Sequence, residues 1–408
     1  MHRTESAAAA EENEASAGRP ASPNRPFAVA YTADSASEAA LRAGLSEVPS
    51  GIVFRRGTIQ AAIRDLSRSP TPQVLIVDVS GASDPLVALD DLANVCEPDV
   101  KVLVTGDRTD VGFYREITRS LGVVEYLSKP LTRDGVARLF LPVLKGRLPA
   151  GGQQPGGRVI TVTAAHGGAG ATTVATNLAI LLAEISRGYV ALVDLNLQDG
   201  AAALALGVAP GAGLRVALED PARVDALFLD RTAVTVNERL RLLAADEALE
   251  EAPEPTLEGV ARLMTLLRRR FNYVVLDMPN PAGPALRSIY ALAQTRLLVV
   301  TPDLLSLRGA KRFRGMLAAT AGDDRAIPLL NHAGMPGALT PALIEQGLGE
   351  KPALSLPHLP KPLLAAANLG VAAVTRSKAF RLAMLEVTRE VSGQRLGKEG
   401  WLARLMRR

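Results

Sequence analysis

The residues most able to do chemistry together lie in one short run, HGGAGATT, His166 to Thr173. A β-branched stretch, RVITVTAA (158–165), precedes it, and a helix-patterned stretch, TVATNLAILLAEIS (173–186), follows it. A phosphate-binding loop needs this context. Gly167, Gly168 and Gly170 let the backbone turn tightly and aim N–H groups at phosphate oxygens, and the next helix adds the partial positive charge of its N-terminus. Thr172 stands where a hydroxyl ligates Mg²⁺, and Thr173 where a second hydroxyl reaches an α-phosphate. The competing reading is a Gly-rich turn that binds nothing.

The elements that must position this loop form two alternating blocks. Residues 27–145 hold five apolar or β-branched runs, FAVAYTA (27–33), GIVF (51–54), VLIVDVS (74–80), VKVLVTG (100–106) and VVEYLS (123–128). Helix-patterned stretches such as IQAAIRDL (59–66) and FYREITRSL (113–121) lie between them, which predicts a small parallel α/β domain. The stretch GRLPAGGQQPGG (146–157) reads as a flexible linker. Residues 158–392 repeat the alternation on a larger scale, with further strands at YVALVDLN (189–196), YVVLDMP (273–279), TRLLVVTP (295–302) and IPLLNHA (327–333). Near-continuous Val/Ile/Leu runs suit a parallel sheet covered on both faces.

Composition narrows the classes. Of 408 residues 48% are hydrophobic and 22% charged, enough for a large soluble core, while only 4% are aromatic, so Ala, Leu and Val must build it. A net charge of +4 is too small to argue for nucleic-acid binding. One cysteine, Cys96, excludes an internal disulfide and fits a reducing compartment. No run reaches the roughly 18 apolar residues of a spanning helix. Residues 1–26, rich in Ala, Ser, Pro and Glu, read as a disordered tail without a signal peptide's apolar core. The expected location is the cytoplasm.

The loop resembles the deviant Walker A motif, KGGxGK[ST]T, of the MinD/ParA family. His166 stands at the first lysine of that motif, which in the family reaches across a nucleotide-sandwich dimer. Ala171 stands at the second, which contacts the β- and γ-phosphates. The resemblance extends to YVALVDLNLQDG, where Asp194 matches the first of two paired aspartates and Asn196 replaces the second, leaving Asp194 as the candidate catalytic carboxylate. It extends to YVVLDMP, where Asp277 matches the Walker B aspartate that holds Mg²⁺ through water, and to Asn331, where the family reads adenine. These matches imply that Gly167, Gly168, Gly170, Ala171, Thr172, Thr173 and Asn331 bind ATP, and that Thr172 and Asp277 hold Mg²⁺. Without the two lysines, hydrolysis is expected to be slow or absent, because a missing cation costs phosphoryl transfer a factor of ~10² to 10³. An isolated strand-end Asp is usually a capping residue, so Asp277 and Asn331 gain weight only from their order after the loop.

The order of elements in residues 27–145 resembles a response-regulator receiver, with a flavodoxin-like fold implied. Asp78 matches the phosphoacceptor, Thr105 the switch hydroxyl and Lys129 the lysine that contacts phosphate. The stretch YTADSAS offers Asp34 and no adjacent acid, so the Mg²⁺ site of a working receiver is incomplete. Asp78 is accordingly read as a degenerate phosphoacceptor or a remnant in a protein-binding module. A receiver-like domain followed by a MinD-like domain that lacks its second lysine resembles the CpaE/TadZ family of Flp (Tad) pilus assembly proteins.

That resemblance implies a localisation and assembly hub. It would homodimerise through residues near 166–173 and 194–200, recruit the pilus assembly proteins including the secretion ATPase, and sit at a cell pole or the inner-membrane surface. Two alternatives stay open: an active MinD/ParA-type ATPase cycling on and off a membrane, and a phosphorelay response regulator. The tail 393–408 places Trp401, Leu402, Leu405 and Met406 on one helical face flanked by Lys398, Arg404, Arg407 and Arg408. This pattern is read either as a weak contact with anionic membrane or as a tail that packs on its own domain.

Overall fold

The computed structural model describes residues 25–48, 51–146, 156–186 and 188–392. The tail expectations for 1–24 and 393–408, and the centre of the expected linker, lie outside these residues.

The front unit is a five-stranded parallel sheet in the order β2-β1-β3-β4-β5. Its strands are β1 (Ala28–Thr32), β2 (Ile52–Arg56), β3 (Val74–Asp78), β4 (Lys101–Gly106) and β5 (Glu125–Ser128). The helices α1 (Ser35–Gly44), α2 (Ile59–Leu66), α3 (Pro85–Ala93), α4 (Val111–Ser120) and α5 (Arg133–Leu139) alternate with them. Leu41 of α1 and Val136 of α5 are buried with Phe140 on one sheet face, while Ile59, Leu92 and Ile117 of α2, α3 and α4 are buried on the other. This is the doubly wound architecture with the 2-1-3-4-5 order. The order in which strands are added reverses between β1 and β3, which opens a crevice at their carboxyl ends.

The second unit carries eight strands in the order β13-β12-β11-β6-β10-β7-β9-β8. They are β6 (Arg158–Ala164), β7 (Val190–Asp194), β8 (Val234–Thr235), β9 (Leu240–Leu243), β10 (Tyr273–Met278), β11 (Thr295–Val300), β12 (Ile327–Ala333) and β13 (Leu354–Pro357). All pairings are parallel except that of the two-residue edge strand β8. One face is covered by α6 (Ala171–Ile185) and α9 (Lys378–Ser392), the other by α7 (Leu257–Arg270) and α8 (Leu304–Ala321), with shorter helices filling the connections. Nearly every residue of α6 from Val174 to Ala183 is buried. A helix this apolar on all sides must sit inside a layer, and each buried Leu adds roughly 1.5–3 kcal/mol. The helix is therefore a fixed post on which the loop before it turns. No described helix is long and apolar enough to cross a membrane.

The expected boundaries shift at both ends of the front unit. Arg25, assigned to the tail, is tied down: its guanidinium donates to the carbonyls of Thr71 and Pro72 and pairs with Asp99 at 2.7 Å and Glu97 at 3.1 Å. Gly157, assigned to the linker, is packed so closely that a Cβ there would lie 1.9 Å from the Phe271 carbonyl oxygen, and its N–H donates to the Arg268 carbonyl at 2.6 Å.

The two sheets meet at the amino ends of their strands. Tyr273 Oη, at the start of β10, donates to Asn94 Oδ1 at 3.0 Å, and Asn272 Nδ2 donates to the Cys96 carbonyl at 2.8 Å. A cavity of about 130 Å³ lies in this seam, lined by Asp90, Cys96, Val102, Arg158, Arg268 and Tyr273 among others. Burial pushes the Cys96 thiol up to about 12, so it stays a protonated, unreactive core group. The carboxyl ends of the two sheets, which carry every candidate functional residue, face away from the seam.

Candidate functional site

The phosphate-loop candidate sits where β6 ends, between β11 and β10, at a reversal of strand order where open α/β sheets bind ligands. Gly170 adopts φ 96° and starts α6 without any side-chain cap, so the first amides of the helix remain available to an anion. Gly167 and Gly168 are exposed, with no atom within 4 Å of where a side chain would begin. Ala171 is the first residue of α6 and is buried, so its methyl group faces protein.

Two carboxylates stand behind the loop. Asp277 ends β10 in register with Asp194 at the end of β7, so the parallel ladder sets them side by side. Burial, and then the neighbouring Asp194, push the Asp277 carboxyl up to about 7, while a hydrogen bond from Thr172 pulls the other way. Burial likewise raises Asp194, whose oxygens accept the amides of Asn196 at 3.1 Å and Ala202 at 3.0 Å. Two buried acids raised together, with a threonine hydroxyl against one of them, form a hard oxygen donor set that fits Mg²⁺. The sequence expectation placed Thr172 and Asp277 in one metal site, and the fold brings them together with Asp194.

Both ring nitrogens of His166 are engaged within the chain. Its Nε2 lies 2.8 Å from Thr301 Oγ1, and its Nδ1 lies 2.6 Å from the Gly167 carbonyl oxygen. Thr301 in turn donates to Asp303 at 2.5 Å. Sequence reasoning missed Thr301 and Asp303. Asp303 was visible only as a helix cap: it precedes α8 and accepts the Ser306 amide at 2.8 Å. The contact of Thr301 with His166, 135 positions away, has no local trace.

Asn331 lies under the loop rather than in the open. Its Nδ2 donates to the Ala169 carbonyl at 2.9 Å and its Oδ1 accepts the His332 amide at 2.9 Å. Both polar atoms are engaged within the chain, so an adenine would have to displace one of these bonds. In this geometry Asn331 acts as a brace for the loop. Beside it the imidazole Nδ1 atoms of His332 and His358 are 3.2 Å apart.

The front candidates gather at the β1/β3 crevice. Asp78 is fully buried and lies in register with Thr105. Lys129 Nζ bridges Asp78 at 2.6 Å and Asp34 at 2.7 Å. Asp78 also accepts the amides of Ala33 and Ser80. The Lys129 hydrogen bond, followed by the Ser37 amide, holds the Asp34 carboxyl down to about 2. Asp34 therefore serves as the cap of α1 and as a partner of Lys129. The ammonium lodged between the two acids offsets one of their two negative charges.

With this geometry in place, comparison with known proteins identifies the larger unit. Residues 158–308 match the family model described as cellulose biosynthesis protein BcsQ. The septum site-determining protein MinD of Synechocystis is 29% identical over 164 residues, 40% of this chain and 60% of that protein. The chain thus spans about three-fifths of the length of this curated relative. The crystal structure of a ParA family ATPase from Chlorobium tepidum superposes with a TM-score of 0.53 at 20% identity, over 57% of this chain and 98% of that one. The crystal structure of the pilus assembly protein CpaE from Caulobacter crescentus is 34% identical, over 27% of this chain and 93% of that one, with a TM-score of 0.26. The second unit is a MinD/ParA-like domain in an α/β chain with parallel sheets, preceded by a receiver-like unit.

Proposed function

We propose that this chain is a localisation and assembly hub for a Flp/Tad-type pilus machine, with a P-loop domain that binds ATP and Mg²⁺ but hydrolyses ATP slowly or not at all. The observation that carries this reading is the mismatch within one site. The glycine loop, the Thr172 hydroxyl and the Asp277–Asp194 pair are assembled, while Ala171 puts a buried methyl group where the motif it resembles has a phosphate-contacting lysine. Gly167, Gly168, Gly170, Thr172 and Thr173 would hold the nucleotide's phosphates, and Thr172, Asp277 and Asp194 would surround the metal. Bound Mg²⁺ would neutralise phosphate charge. The chain's own groups orient the polyphosphate through backbone amides and keep the two carboxylates dry.

Bound nucleotide then acts as a structural ligand that favours pairing of two P-loop faces, through residues near 166–173 and 194–200. The paired hub recruits pilus and secretion components, the secretion ATPase among them, at a pole or the inner-membrane surface. Sedimentation at micromolar concentration should report a dimer with ATP present, and a monomer with and without ATP would count against the proposal.

Phosphate-release kinetics test the catalytic half. The wild type should turn over far below the rate of order 1 s⁻¹ typical of working phosphoryl-transfer enzymes. Ala171→Lys should raise the rate by ~10-fold or more by restoring transition-state charge. Wild-type turnover near 1 s⁻¹ that is lost in Asp277→Ala would support an active MinD/ParA-type ATPase instead. The phosphorelay alternative is opposed by the Lys129 bridge, which occupies both Asp78 and Asp34. Labelling of Asp78 by acetyl phosphate would revive it.

A further inference from the structure

The partners of His166 leave its ring only one protonation state. Nδ1 lies 2.6 Å from the Gly167 carbonyl oxygen, and a carbonyl only accepts, so Nδ1 carries a hydrogen. Nε2 lies 2.8 Å from Thr301 Oγ1. The single hydrogen of that hydroxyl points at Asp303 Oδ2, 2.5 Å away, because an ionised carboxylate only accepts. Thr301 therefore meets the ring with a lone pair, and Nε2 must carry a hydrogen too. A ring with both nitrogens donating is an imidazolium.

Asp303 supplies the balancing charge, with Oδ2 3.8 Å from Nε2 and Oδ1 fixed by the Ser306 amide. Burial pushes the Asp303 carboxyl up, but the Thr301 hydroxyl, the Ser306 amide and the positive charge on His166 together draw it below its ordinary value. The other titratable groups at this end of the sheet include Asp277 on β10 and Asp194 on β7, both acids that favour a positive neighbour, and the paired imidazoles of His332 and His358 beside Asn331. Arg308 lies about one turn into α8, and α6 has no titratable group before Glu184.

We infer that His166, as an imidazolium pinned by Gly167, Thr301 and Asp303, is the cation of this phosphate loop, so that the loop's grip on a polyphosphate is linked to a proton. The inference rests on the nucleotide-binding reading of the same loop. Within residues 166–173 only His166 can carry a positive charge. It stands at the start of the loop, where its charge adds to the partial charge of the α6 amides. Ligand and proton favour each other reciprocally: nucleotide stabilises the imidazolium, and deprotonation weakens nucleotide binding. Asp303 positions and charge-balances the ring without touching the ligand.

Two measurements on the full-length chain test this. ATP binding is followed by calorimetry in EDTA at about pH 6 and about pH 8.5, the range a histidine spans, with every chain, wild type at 166 or not, carrying Asp277→Asn so that this carboxyl does not ionise beside the phosphates over the same range. In parallel, nitrogen-detected NMR follows the four imidazoles, His2, His166, His332 and His358, with His166 assigned by its loss in His166→Gln. The expected results are a His166 ring protonated on both nitrogens at the acid end and roughly five-fold weaker ATP binding at the alkaline end. His166→Gln should bind as weakly at about pH 6 as the wild type does at about pH 8.5. His166→Lys should bind tightly at both, and Asp303→Asn should weaken binding at the acid end. A His166 ring with one bare nitrogen at the acid end overturns the inference. So does a pH ratio equal in wild type and His166→Gln, which leaves nucleotide binding itself intact. Absence of ATP binding by the wild type at either pH, with Mg²⁺ added as well as in EDTA, overturns the nucleotide reading, and this inference with it.

Discussion

At the scale of single residues, Asp277 shows how a buried acid can sense a metal. Its carboxyl is pushed up to about 7 by burial and by Asp194, against an ordinary value of 3.8. A raised acid disfavours its own ionised form, so the penalty is absent below about pH 4, grows with rising pH and is complete above about pH 7. Without metal, the protein should lose stability from about pH 4 to about pH 7, and Asp277→Asn should remove most of that loss. Mg²⁺ competes with the proton, so in His166→Lys, whose loop charge is constant over this range, the shift in melting temperature produced by Mg·ATP should be larger at about pH 8 than at about pH 6. Equal shifts at both would argue that the metal avoids Asp277. The place of Asp277 was legible because a strand-end aspartate followed the loop in the right order. The Thr301–Asp303 partnership with His166 was not, since it depends on strand β11 lying beside β6, a neighbour relation that no local pattern encodes.

At the scale of elements, the loop is held from below as well as shaped from within. A Cβ on Gly170 would lie 2.5 Å from Asn331 Nδ2, and the backbone there has φ 96°. Gly170→Ala should therefore both strain the turn and dislodge the Asn331 brace. A loss of roughly 1–3 kcal/mol in chemical denaturation is expected, together with weakened nucleotide binding. Gly167→Ala meets open space and should cost far less, and equal losses would deny the brace its role. The long buried strands β6, β7 and β10 and the apolar helix α6 were evident as continuous Val/Ile/Leu/Ala runs. Strands β9 (LRLL) and β13 (LSLP) escaped notice because four residues carry too little periodicity, and both gain strand character from an already formed neighbour. The linker reading overshot for the same kind of reason: Gly156 and Gly157 look like spacer residues, yet close backbone approach to Arg268 and Phe271 is what requires glycine there.

At the scale of the whole molecule, the seam between the two sheets contains its own flaw. Burial, and then the charge of Asp91, push Asp90 up to about 6 despite Arg158 nearby, and its Oδ2 has no hydrogen-bond partner among the described residues. Asp90→Asn should stabilise the full chain by roughly 1–2 kcal/mol at about pH 7.5 and have far less effect near pH 4, where the folded acid is protonated and the unfolded one is about half protonated. Urea denaturation at the two pH values checks this, and destabilisation at the higher one would mean that the charge is needed against Arg158. A buried acid with an unpartnered oxygen marks a contact that has not been tuned for maximum strength.

Because the sheets abut through the amino ends of their strands, their working ends point in opposite directions. Two strands of five to seven residues laid end to end separate the two crevices by roughly 40 Å. No side chain at one crevice can reach a ligand in the other, so communication between them must take the form of a tilt at the seam. If two molecules join at their phosphate loops, the front crevices become the far tips of a symmetrical strut. Such an object would set a spacing: whatever its tips hold is kept apart by a span that the backbone sets and that only a tilt at the seam can alter.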